Sequence, residues 1–172
     1  MKRYYAFLMI AFFAGTMSLQ AQANPISADA KQGYESIKNI LLKSADKMPE
    51  ADYSFRTTPK VRTYGEMIAH IADTQTMLCS MAQGGMKKGT AASKTSKADL
   101  VEALKASFAE CDPVYDNMTD AAGVEMVKVM GRNMTKLGLL NFNVTHDNEM
   151  YGIIGAFLRI KGIVPPSSEG RP

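Results

Sequence analysis

Apolar residues recur every three or four positions in four segments of the chain, with capping or breaking residues between them, and this pattern predicts four helices. The first covers residues 27–48, with Tyr34, Ile37, Leu41 and Met48 on one stripe and Pro49 just beyond. The second opens on "TYGE", where Thr63 caps the first turn and Glu66 reaches back as its partner. Its stripe is Met67, Ile71, Leu78 and Met81, and it ends before Gly84-Gly85. Ser96 and Asp99 cap the third, which turns Leu100, Leu104, Phe108, Cys111, Tyr115 and Met118 inward and should bend at Pro113. The fourth covers residues 135–161, with Gly162 to terminate it and Pro165-Pro166 after that.

The fourth helix has two apolar stripes. Leu137, Leu140, Val144, Tyr151, Ile154 and Leu158 form one, and Leu139, Phe142, His146, Met150, Ile153 and Phe157 form the other. A helix apolar on both sides is buried on both sides, so it must face the core and, in addition, either a dimer interface or a ligand cavity. Gly152 and Gly155 let another helix approach closely. Before this helix, "VEMVKVM" reads as a short strand or an extended linker.

The first 23 residues do not belong to this pattern. A basic start, an apolar run over residues 6–19 and then Ala21-Gln22-Ala23 mark a secretory signal peptide cleaved after Ala23. The run is shorter than the roughly 20 residues a membrane span needs. Residues 24–172 then form one domain, exported to the periplasm or secreted, with no integral membrane segment left. The chain has 20 Lys and Arg against 17 Asp and Glu, and loss of Lys2 and Arg3 with the leader cuts the basic excess to one. Such a balance makes no electrostatic case for nucleic acid.

The candidate chemistry is sparse. There is no phosphate-binding glycine motif and no Gly-x-Ser-x-Gly nucleophile motif. Asn117, Asn133 and Asn143 each begin an Asn-x-Thr sequon, a pattern that arises often by chance. The two histidines, His70 and His146, each lie on a helix, and a histidine on an apolar stripe is either a packed core residue or a metal ligand. Thirteen methionines suggest copper handling, yet Met67, Met81 and Met118 fall at core spacing and no Met-x-x-Met cluster gathers around His146.

"EMIAHIADTQ", followed about seventy residues later by "FNVTHDNEMYGIIGAFLRIKGIVPPSS", resembles the DinB-like family of four-helix proteins. The ending "YGIIGAFLRIKGIVPPSS" is the most specific part. The resemblance implies an all-α fold, a four-helix bundle in up-down-down-up order, often a homodimer. It also implies a divalent metal such as zinc, nickel or iron, held by one histidine of the second helix and a His-x3-His pair of the fourth. Some family members are thiol S-transferases dependent on mycothiol or bacillithiol, and many have no assigned activity.

Carried over by position, the ligands are His70 and His146, and the third falls on Met150. A thioether is neutral and soft, a poor ligand for zinc or nickel, so the triad is degenerate. Asp73 and Glu149 each follow a histidine by three positions and share its helical face, so either is a possible substitute or an ordinary solvated charge. The resemblance leaves two readings: a vestigial or weakened metal site in a protein of unassigned activity, or a metal-dependent hydrolase or thiol S-transferase.

Cys79 and Cys111 are an even pair in a chain expected to be exported. If the second and third helices run antiparallel, the cysteines lie at different heights and cannot bond; if parallel, both lie about 15 residues in and sit level. The connector over residues 84–96 reaches about 43 Å at full extension, enough to retrace roughly 30 Å of helix. With the down-down order that the resemblance implies, a Cys79–Cys111 disulfide is expected.

Overall fold

The computed structural model describes residues 24–170; the expected signal peptide, residues 1–23, lies outside them. Five α-helices and one β-hairpin follow in the order α1 (Pro25–Lys47), α2 (Tyr64–Ala82), α3 (Lys97–Asp116), α4 (Asp120–Gly123), β1 (Met126–Val129), β2 (Arg132–Thr135) and α5 (Lys136–Ile160). The four long helices are those predicted by the apolar pattern. None of the described helices is long and apolar enough to cross a membrane.

Local chemistry accounts for the helix starts. Pro25 occupies the first turn of α1, where its missing N–H is no loss. The Asp120 carboxylate, brought across by α4, accepts from the amides of Ile26 and Ser27. At α2 the capping box is complete: Glu66 N donates to Thr63 Oγ1 at 3.1 Å, and Thr63 N donates to Glu66 Oε2 at 2.7 Å. Thr63→Ala should therefore cost about 1 kcal/mol, visible as a lower urea midpoint at unchanged slope. Ser96 and Thr135 cap α3 and α5 through their hydroxyls alone, accepting from the amides of Asp99 and Gly138.

Contacts between helices fix their directions. Tyr34 near the start of α1 meets Asp112 near the end of α3, while Lys97 at the start of α3 donates to the carbonyls of Asp46 and Met48. These two helices are antiparallel. Gly65 of α2 lies against Leu100 of α3, and farther along Cys79 is bonded to Cys111, so α2 and α3 are parallel. Asn143 of α5 meets Gln75 of α2, and His146 meets His70, so α5 runs opposite to α2. The order is up-down-down-up.

A parallel pair needs a long return. Residues 83–96 supply it, and they cling to α2 rather than loop out: Asp73 accepts from the amides of Ala91 and Ala92 at 2.7 and 3.0 Å. Gly89 passes so close that a Cβ there would lie 2.5 Å from the Asp73 Cα. Only a residue without a side chain fits that crossing.

The core is apolar and continuous through all four long helices, with Leu41, Ile68, Ile71, Leu104, Phe108 and Leu158 fully enclosed. Two expectations are sharpened. On the second stripe of α5 Leu139, Met150 and Phe157 are buried, His146 and Ile153 are half-buried and Phe142 is 45% exposed, while the polar Asn143 and Asp147, on the same inward side of the helix, are completely buried. The segment before α5 is a short strand, one of the two readings of the sequence, and it pairs with a second strand in a hairpin. Its turn residues Met130 and Gly131 both have positive φ, as tight hairpin turns require. The second strand, "RNMT", is polar and partly exposed, so hydrophobic periodicity gave it no signal.

Candidate functional site

The antiparallel packing of α2 on α5 brings together two imidazoles that are 76 positions apart in the chain. The Nε2 atoms of His70 and His146 are 3.2 Å apart, with ring centroids at 5.1 Å and planes inclined by 69°. Two imidazole nitrogens bound to one tetrahedral zinc at about 2.0–2.1 Å would be about 3.3 Å apart. The same spacing suits one N–H···N hydrogen bond between neutral rings. Burial pushes the His70 pKa below the usual histidine value, the charge of Arg62 and then His146 push the same way, and Asp73 opposes them. A neutral imidazole keeps the lone pair that a metal needs.

Behind His146 lies Asp147, fully buried. Its Oδ1 is 3.6 Å from His146 Nδ1, and neither that nitrogen nor either carboxylate oxygen has a hydrogen-bond partner among the described residues. Burial pushes the Asp147 carboxyl above the usual carboxylate range, while His146 acts in the opposite direction. His146 thus has one nitrogen facing His70 and the other facing an acid, the disposition in which a second carboxylate orients a ligating histidine.

One turn earlier on α5, Asn143 Nδ2 donates to Gln75 Oε1 at 2.8 Å and to Tyr115 Oη at 3.1 Å. Tyr115 donates onward to the Leu140 carbonyl, and its ring stacks on Tyr34 at 3.9 Å. This polar seam links α2, α3 and α5 beneath the histidines. Gln75 and Asp147 are not marked by any motif in the sequence, and Asn143 is marked only as the start of a sequon, although it is fully buried. The available signal was the i, i+4 spacing that puts Asn143 and Asp147 on the side of the helix that carries Leu140, Ile154 and Leu158.

The other positions have these surroundings. Met150 is buried in the apolar core. Asp73 holds the connector amides with both oxygens, and Glu149 is exposed. Among the described residues no group of three or more His, Cys, Asp or Glu side chains is placed to hold a metal ion. Cys79 and Cys111 are joined, with Cα atoms 5.4 Å apart. On the solvent side of His70 a cleft of about 500 Å³ is bordered by Lys60, Arg62, Glu66, Asp73 and Lys94.

Comparison with known proteins follows this geometry. The family model of the DinB superfamily matches residues 34–154. A DinB-like protein from Bacillus cereus superposes with a TM-score of 0.70 at 20% identity, over 81% of this chain and 95% of that one. A DinB-like protein from Bacillus subtilis gives 0.64 at 19% identity, over 81% and 92%. A mycothiol-dependent maleylpyruvate isomerase gives 0.59 at 14% identity, over 77% of this chain and 65% of that one. These likenesses establish the fold. No curated protein matches the sequence.

Proposed function

The chain belongs to the DinB superfamily, and from that premise we propose that it is an exported DinB-like protein in which His70 and His146 form a weakened site for one divalent metal ion, zinc, nickel or iron. The observation that carries this reading is the 3.2 Å approach of the two Nε2 atoms. The buried Nδ1 of His146, without a hydrogen-bond partner beside Asp147, supports it, because a metal-bound imidazole donates its other N–H to such a group.

The residues fit two ligands of a metal and no more. Met150 is the wrong donor for zinc or nickel, and Asp73 and Glu149 are engaged or turned away. An ion held by two imidazoles would leave positions for water or substrate and would supply Lewis acidity. The disulfide supports export, since such bonds persist in oxidising compartments. The exposed Phe142 on α5 supports a homodimer packed on that helix. A hydrolase or thiol S-transferase is the second reading, and the fold shared with a mycothiol-dependent isomerase favours it.

The test is metal content by elemental mass spectrometry on residues 24–172 purified without a histidine tag or chelator, followed by zinc titration. Wild type should take up zinc weakly, and a His70→Ala/His146→Ala variant should take up none. Met150→His should tighten zinc by at least about tenfold, roughly 1.4 kcal/mol. Equal uptake by wild type and the double-alanine variant would sink the proposal.

A further inference from the structure

The cleft beside His70 has an uneven division of labour among its charges. Its two carboxylates each accept from backbone amides, and Glu66 also feels the charge of Arg62. Glu66 accepts from Thr63 N in the capping box, and Asp73 accepts from the amides of Ala91 and Ala92. Lys60, Arg62 and Lys94 outnumber them and form no ion pair among the described residues, whereas seven lysine–carboxylate pairs form elsewhere. Cationic donors that outnumber the carboxylates around a concave space are suited to receive an anion.

Chain architecture gathers these donors. Lys60 and Arg62 precede the α2 cap, Lys94 comes from the connector that returns along α2, and His70 lies two turns into that helix. The Asp73 contacts with the connector are what bring Lys94 to this side. The charge of Arg62 reaches His70, where it disfavours protonation of the ring. The volume of about 500 Å³ is within the range of small-molecule sites.

We propose that Lys60, Arg62 and Lys94 bind the anionic group of a small molecule, a carboxylate or phosphate, and hold it beside His70. This names a ligand class for the site and rests on the two-histidine reading only in placing the ligand next to a metal. The anion itself is held by the protein's own cations, so binding does not need the ion.

The experiment uses metal-free protein, residues 24–172, titrated with succinate and with inorganic phosphate while the His70 ring is followed by NMR. Both probes should shift the His70 signals saturably. Lys60→Gln/Arg62→Gln/Lys94→Gln should weaken binding by at least about tenfold. A charge-matched control at remote exposed sites, Lys105→Gln/Lys128→Gln/Arg132→Gln, should bind like wild type. Equal loss in both triple variants, no loss in the first, or no movement of His70 would each overturn the proposal. Zinc titration of the same samples reports on the histidine pair separately, so failure of the metal site and failure of the anion cleft give different results.

Discussion

Reduction of the Cys79–Cys111 bond lowers the stability of the domain by about 3 to 4 kcal/mol, the largest single loss expected from this structure. The sequence separation is 32 residues, and closing a loop of that length removes a corresponding share of the unfolded chain's freedom. For a domain of this size each kcal/mol moves Tm by roughly 2–4 °C, so the midpoint should fall by about 10 °C. Thermal unfolding followed by circular dichroism, with and without reductant, measures it. Cys79→Ala/Cys111→Ala should reproduce the reduced protein, because both positions are buried and alanine leaves no polar atom there. Identical midpoints for oxidised and reduced protein would show that the bond contributes nothing to stability.

Asn143→Ala follows, with an expected loss of about 2–4 kcal/mol. Two effects add. The side chain is fully buried, so its removal leaves a cavity. It also supplies the hydrogen bond to Gln75 Oε1, and Gln75 Nε2 has no partner already, so the variant leaves a buried amide bonded at neither end. The control is Gln75→Leu/Asn143→Leu, which replaces both partners with apolar groups of similar size. It should lose less than the single alanine variant, because no orphaned amide remains. Urea unfolding of the two variants decides the matter: a larger loss in the double variant would mean that packing, not the hydrogen bond, is what Asn143 contributes.

The fold was legible because each long helix states its period and its ends within a few residues. Thr63 with Glu66 and Ser96 with Asp99 mark starts through bonds made inside one turn, and such local chemistry needs no knowledge of the rest of the chain. His70 and His146 were legible as types, and the parallel pairing of α2 with α3 was within reach of the connector's length. Asp147 and Asn143 were legible only as an i, i+4 pair on the inward side of a helix: a polar residue on a helix is assigned to solvent by default, and their partners come from tertiary packing. The second hairpin strand was hidden for the opposite reason, since it is polar, exposed and held by backbone bonds that its side chains do not announce. The carboxylate at Asp73 has a role no spacing could express, because its partners are amides 18 and 19 positions away.

The bond between two helices that run the same way has a further consequence for the chain as a covalent object. Together with the segment it spans, it closes a ring that contains the whole return connector. A single cut by a protease anywhere between residues 84 and 96 opens that ring without separating the molecule: the N-terminal half, carrying His70, and the C-terminal half, carrying His146, stay tethered through sulfur. A nicked protein would keep both imidazoles on one particle, and only a reductant would part them. Any cut between the two bonded cysteines is therefore one that the molecule is already wired to survive, and the connector is the part of that stretch outside the α-helices.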